Sequence, residues 1–235
     1  MSDKHLSTQF DAELSGVSTR VLEMGGLVEN QVSRAIAALA TFDGDGAAQV
    51  LRDEERCNRM EVEIDRELSA IIARRQPTAR DLRLLIAISK IIANLERVGD
   101  EAARVARVVQ RLIAIGLPGR LRLPVGDLQF EADLAVAQLR KALDAFARLD
   151  TVRALEVLKQ DDQIDQEFEG LMRKLITYMM EDPRTISPSL DLLFVAKAIE
   201  RVGDHAKNIA EFIIYIVKGE DVRHSPRDQI ESMLE

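Results

Sequence analysis

Apolar positions recur along this chain in steps of three and four. The row Leu85, Ile88, Ile92, Leu95, Gly99, Ala102, Ala106, Val109, Ile113 advances without a break, which is the stripe of a long amphipathic helix packed nearly parallel to its neighbours. A second row keeps the same steps 104 residues later: Ser189, Leu192, Ala196, Ile199, Gly203, Ala206, Ala210, Ile213, Val217. Within the two rows, Glu96-Arg97-Val98-Gly99-Asp100 and Glu200-Arg201-Val202-Gly203-Asp204 are identical. Upstream the offset becomes 107, matching Ala35-Ile36 with Ala142-Leu143, Asp43 with Asp150, Val50-Leu51 with Val157-Leu158, and Ile64 and Leu68 with Leu171 and Leu175. The chain is therefore a repeated unit used twice.

Start and stop signals divide each unit into three helices. The first runs from Thr8, with Asp11 three residues on, to Phe42, where Asp43-Gly44-Asp45-Gly46 breaks it. The second covers 47–75 and ends at Gln76-Pro77, and the third opens at Thr78 with Asp81 and reaches Ile115. Residues 117–126, dense in Gly and Pro, form the join. A fourth helix then covers 127–149, a fifth 151–181, and a sixth opens with Ser187 as N-cap and Pro188 in its first turn, ending at Lys218-Gly219. Long helices on short connections must fold back on one another. The expected fold is all-α: two tandem antiparallel three-helix bundles, six long helices in all, related by a pseudo-two-fold. The first bundle occupies 1–116 and the second 127–219, with 220–235 as a loosely held polar tail.

Composition narrows the function. Of 235 residues 46% are hydrophobic, yet only 4% are aromatic and there is no Trp, so the core is aliphatic and base-stacking surfaces are scarce. The net charge of −8 opposes phosphate backbones. Nucleic acid is thus excluded as a partner. The single Cys57 permits neither an internal disulfide nor a cysteine zinc cluster and fits a reducing compartment. No uncharged run approaches the length of a membrane span, and the segment Met1–Phe10 has no apolar stretch of signal-peptide type. A cytoplasmic protein is expected, reaching the membrane only through partners. The acidic excess is uneven, with 18 acids and 16 bases in residues 1–115 against 22 and 16 in the remainder.

The chemistry lies where acids break the helix pattern. Glu96 and Asp100 are four apart, each immediately after a seam position, and Gly99, Ala102 and Ala106 let a neighbouring helix approach closely beside them. Glu200 and Asp204 repeat the arrangement. The second helix supplies Glu54 and Asn58, with Glu61 in a row where an apolar residue belongs, and the fifth supplies Asp161 and Asp165 at the matching places. Like charges at this spacing repel, and a cation relieves them. Oxygen donors without thiolate and almost without imidazole suit Mg, Ca, Mn or iron better than structural zinc. A single Glu-x-x-x-Asp is commonplace, however, and can be an ordinary packing or salt-bridge feature. His205 is expected to make an interhelical hydrogen bond rather than ligate metal, and Gln31 and Gln138 to be satisfied core amides fixing register. The Glu-x-x-His repeat of di-iron oxidases is absent, as is any nucleophile–base pair or phosphate-cradling loop.

The stretches Leu95-Glu-Arg-Val-Gly-Asp100 and Ile199-Glu-Arg-Val-Gly-Asp-His-Ala-Lys-Asn-Ile-Ala-Glu211 resemble the PhoU family of bacterial phosphate regulators, of proteobacterial type. So do Phe10-Asp-Ala-Glu-Leu14, Met24-Gly-Gly-Leu-Val28, Arg75-Gln-Pro-Thr-Ala79, Asp144-Ala-Phe-Ala-Arg148 and Tyr178-Met-Met-Glu-Asp-Pro183. The resemblance implies the fold already derived, and multinuclear iron or zinc clusters on Glu96, Asp100, Glu200 and Asp204, faced by Glu54, Asn58, Asp161 and Asp165. Asn58 stands opposite Asp165, and Arg104 and Arg107 opposite Asn208 and Glu211, so the second site is expected to hold metal more strongly. The resemblance further implies a non-enzymatic negative regulator of the phosphate-starvation response. Such a protein acts between the ATPase subunit of the phosphate ABC transporter and a sensor histidine kinase at the inner face of the membrane, with no insertion of its own. The alternatives are a metal- or phosphate-binding protein whose clusters are the primary function, and a metallohydrolase. A homodimer is expected.

Overall fold

The computed structural model describes residues 8–116 and 124–234. Seven α-helices account for nearly all of them: α1 (Thr8–Thr41), α2 (Gly44–Arg75), α3 (Ala79–Ala114), α4 (Val125–Arg148), α5 (Thr151–Glu181), α6 (Ile186–Lys218) and α7 (Arg227–Leu234). Strands are absent among the described residues. Each triplet, α1–α3 and α4–α6, is an antiparallel bundle.

The bundles meet broadly. The contact of α3 with α6 is the most extensive between any two helices, and α1 also packs on α4. Four helices thus make a central block, with α2 against α1 and α3 on one flank and α5 against α4 and α6 on the other. Both seam rows are buried up to their last residue, and the apolar interior is continuous across the two bundles. The small residues of the motif act at this level. Ala102, Ala106, Ala206 and Ala210 are all fully or almost fully buried, and their small side chains let the backbones come close.

Repeated capping chemistry sets two of the turns. Asp43 accepts from the Asp45 amide at 3.0 Å and so starts α2 at Gly44, three residues earlier than its composition predicts. Asp150, its repeat partner, accepts from the Val152 and Arg153 amides, both at 3.0 Å, at the start of α5. These caps satisfy amides that the first helical turn leaves open. At the α5–α6 turn the expected Ser187 cap is replaced by a turn of 3-10 helix, Pro183–Thr185. There the Thr185 hydroxyl donates to the Tyr178 carbonyl at 2.8 Å, which draws the start of α6 back to Ile186. Most of the expected join lies outside the described residues; α4 itself begins at Val125.

The end of the chain corrects the expectation of a loose tail. Val222 and Ile230 are buried, and α7 lies against α5. Arg227 binds both oxygens of Asp162, at 2.8 and 2.9 Å, Lys159 pairs with Glu231, and Lys218 Nζ donates to the Met233 carbonyl. The segment is polar overall, but its apolar residues fall on one face.

Candidate acidic sites on the helix seams

Two buried amides fix the geometry beneath the motifs. Gln31 Nε2 donates to the Val50 carbonyl at 3.2 Å, and Gln138 Nε2 donates to the Val157 carbonyl at 3.1 Å. Each clamps the first helix of a bundle to the second. The Oε1 atoms find no donor, so these amides are satisfied on one side only. Each oxygen instead faces the motif glycine of the third helix, Gly99 or Gly203.

In the first bundle this arrangement brings α2 and α3 together at Glu54, Glu61, Glu96 and Asp100. Burial and then the charges of Asp100 and Glu61 push the Glu96 carboxyl upward, with Arg97 opposing. Burial and then Asp65 do the same to Glu61. Cys57 lies beneath, fully buried, and its thiol is pushed up to about 12 by burial and by the fields of Glu96, Glu61, Asp100 and Glu54. It is held as a neutral thiol, the wrong form for ligation. Glu54 is bound through both oxygens by Arg107, at 2.8 and 2.9 Å, and Asn58 is exposed.

The second set joins α5 and α6 and carries cations of its own. The carboxylate of Asp161, almost fully buried, is bound by Lys207, and Glu200 is bound at 2.7 Å by Lys197. Burial raises Asp204, with Glu200 and Asp161 adding to it and Lys197 and Lys207 opposing. Asp165 is raised by burial and then by Asp161 and Glu200. The Oε2 atom of Glu200 is buried without a partner.

Sequence reasoning missed Glu131. It lies on α4, only 1% exposed, and neither carboxylate oxygen has a partner. Burial, then the charges of Glu200 and Glu167, push it up to about 8, so it is largely a neutral acid at pH 7. The repeat offset sets Glu131 against Met24, and that mismatch was the available signal. His205 behaves as expected: its Nδ1 lies 3.0 Å from Asn94 Oδ1 across the α3–α6 seam. Asn208 donates to the same oxygen at 3.1 Å, and Arg201 reaches Glu101 of the other bundle at 3.1 Å. Burial, then Arg97 and Arg201, hold His205 down at about 4.

The donor chemistry of both sets, oxygen-rich with mutually raised carboxyls, fits a hard cation. Their geometry is not that of a closed site, because no three acidic, histidine or cysteine side chains among the described residues gather closely enough to share one ion. In the second set Lys207 and Lys197 already supply positive charge.

The model of the PhoU domain matches residues 21–109 and again residues 130–213. The chain belongs to the PhoU family. Over 230 residues it is 51% identical to the Burkholderia phosphate-specific transport system accessory protein PhoU homolog, covering 98% of this chain and 97% of that one. The Escherichia coli K12 accessory protein PhoU is 46% identical over 233 residues, 99% of this chain and 95% of the relative. Two crystal structures share the architecture at a TM-score of 0.83. PhoU from Pseudomonas aeruginosa, at 46% identity, covers 90% of this chain and 100% of its own. The phosphate transport system regulatory protein PhoU from Streptococcus pneumoniae, at 29%, covers 91% and 99%. Each matched PhoU stretch runs from the first helix of a bundle into its third, so α7 lies beyond both.

Proposed function

We propose that this PhoU-family protein is a non-enzymatic negative regulator of the phosphate-starvation response. In this reading it is an adaptor between the ATPase subunit of a phosphate ABC transporter and a sensor histidine kinase, and it moderates phosphate uptake. The observation that carries the reading is the match over both repeats and nearly the whole length to accessory proteins of phosphate-specific transport systems. The physical form agrees with it. Six helices of 24–36 residues on one continuous core make a rigid body of net charge −8, suited to contact rather than turnover. No described helix is long and apolar enough to cross a membrane. In this reading the protein works from the cytoplasm as a homodimer, recruited to the inner face of the membrane by its partners. A strain lacking the gene should make phosphate-starvation proteins in phosphate-rich medium. Normal repression in that strain would sink the reading.

A second reading makes carboxylate-bound metal the primary function. Mutual repulsion among Glu61, Glu96 and Asp100 and the orphaned Glu200 Oε2 favour it. Glu54, Glu96 and Asp100 would hold iron, zinc or another divalent ion on the first bundle, with Asn58 at the rim; Asp161, Asp165, Glu200 and Asp204 would do so on the second. Such an ion would neutralise the acids and lock each helix pair. Replacing Glu200 and Asp204 by Ala separates the readings: repression that survives loss of metal makes the metal incidental to signalling.

A further inference from the structure

The α3–α6 seam has two ends, which the 104-residue offset makes equivalent by sequence. At one end Arg111, late in α3, reaches Asp191, early in α6, at 3.2 Å, and the ion pair closes the seam. At the other end the same two positions are Tyr215, late in α6, and Ala87, early in α3. Both the acid and the arginine are missing. A cavity of about 120 Å³ stands there, built on Ile86, Ala87 and Phe212, with Lys90 and Tyr215 beside them and Asp221 and Arg223 closing the remaining side.

Two polar groups at the mouth of this cavity are open to solvent, Lys90 exposed and Tyr215 half-buried. Neither the Lys90 ammonium nor the Tyr215 hydroxyl has a partner among the described residues. Arg223 is positioned rather than consumed: Asp221 accepts from its Nε at 2.9 Å and from Nη2, and the guanidinium lies 5.6 Å from the centre of the Phe212 ring, leaving Nη1 free. One turn before Ala87, Arg83 runs along the backbone of Gly219 with its Nε buried and unpartnered. Of the residues that build the cavity, Lys90 and Arg223 are cationic and Asp221 is anionic, and the buried Glu211 carboxyl also acts on Arg223. The floor is apolar, with Phe212 buried and Ile86 exposed.

We propose that this cavity binds a small organic oxyanion, a carboxylate or a phosphate monoester on an apolar body. The charged head stands where the Asp191 carboxylate stands at the other end of the seam, and the body covers Ile86 and Phe212. Lys90 and Tyr215 supply the charge-assisted and neutral hydrogen bonds that Arg111 supplies to Asp191. The volume is a little below the ~150 Å³ of an apolar cavity that takes up benzene, so the ligand is compact, a single ring or a short chain. Arg223 and Asp221 lie beyond the second stretch matched by the family model, so one wall of the site belongs to the segment that follows α6.

The test is a titration of the full chain, followed by thermal melting and by NMR, with phenyl phosphate, benzoate, inorganic phosphate and neutral benzyl alcohol. Saturable stabilisation by phenyl phosphate or benzoate and none by benzyl alcohol is expected, and the stronger of the two identifies the head group. Lys90→Ala should weaken that binding at least tenfold. Ala87→Asp, which restores the missing carboxylate, should abolish it; should that variant not fold, Tyr215→Phe takes its place and should weaken binding severalfold. The proposal fails if neither organic anion binds or if Lys90→Ala binds as tightly as the parent chain. Inorganic phosphate binding as tightly as phenyl phosphate would equally overturn it, since the apolar body would then contribute nothing.

Discussion

Gly203 lies directly against the side-chain amide of Gln138: a Cβ on this glycine would fall 3.1 Å from Gln138 Oε1 and 2.9 Å from Ile164 Cδ1. The repeated pair, Gly99 and Gln31, is looser, with the nearest atoms, Cys57 Sγ and Gln31 Oε1, both at 3.3 Å. Glycine within a helix forgoes about 1 kcal/mol relative to alanine. It is kept here because three helices converge on it.

Alanine at the two positions should therefore differ in effect. Gly203→Ala must displace a methyl group and an amide pinned to the Val157 carbonyl, at an overpacking penalty of about 1–3 kcal/mol that exceeds the propensity gain. Gly99→Ala asks its neighbours for only a few tenths of an ångström and should stay within about 1 kcal/mol of the parent. Urea denaturation of the two variants checks this. A Gly99→Ala protein less stable than Gly203→Ala would contradict the assigned packing.

Glu131 makes stability depend on pH in a direction opposite to that of a salt-bridged acid. Its carboxyl moves from an ordinary 4.5 to about 8 on folding, chiefly through burial. Between those values the folded chain binds more protons than the unfolded one, so stability declines as pH rises and levels off above about 8. Glu131→Gln keeps the shape without the ionisation. It should match the parent near pH 5 and exceed it by at least about 1 kcal/mol near pH 8, the scale of an unmet buried polar group. Melting curves at the two pH values decide it; equal differences at both would show that Glu131 is not the titrating group.

What the sequence could show follows from the range of each interaction. The six long helices were legible because a stripe of nine seam positions repeats within each third helix, and because Asp43 and Asp150 cap the same turn twice. The acid pairs Glu96–Asp100 and Glu200–Asp204 were legible because their spacing is local. The ion pair of Lys207 with Asp161 spans 46 residues, and no periodicity announces it. Glu131 sits among ordinary surface neighbours, Phe130 and Asp133, so only its buried environment sets it apart. The tail was misread because α7 has eight residues and its apolar side rests on Ile230, Met233 and Leu234 alone.

Docking of α7 should contribute measurably to the second bundle. Burying an isoleucine fully stabilises by about 1.5–3 kcal/mol, and Ile230 is 4% exposed. Ile230→Ala should therefore lower stability by about 2 kcal/mol. Arg227→Ala, which frees a largely exposed pair with Asp162, should lower it by under about 1 kcal/mol and less in high salt. Amide exchange in residues 227–234 should accelerate in the first variant. Unchanged exchange there would mean that the packing of Ile230 does not hold the helix.

Lys207 occupies the place an added cation would take in the second acidic set. Its ammonium neutralises Asp161, whose carboxylate is almost fully buried, and its charge also opposes the upward shifts of Asp165 and Asp204. Lys207→Met keeps the aliphatic stem and removes the charge, leaving Asp161 beside Asp165, Glu200 and Asp204 with Lys197 and, from α7, Arg227 to offset them. Stability should fall by about 1–3 kcal/mol, the range for a buried acceptor left without its donor. A divalent ion should then recover more in the variant than in the parent, because it no longer competes with an internal ammonium. At a hundredfold excess over its dissociation constant, an ion that binds only the folded chain returns about 2.7 kcal/mol. Melting both proteins across a manganese titration measures the difference. A variant that gains no more than the parent would show that these four carboxylates are arranged for Lys207 rather than for a metal.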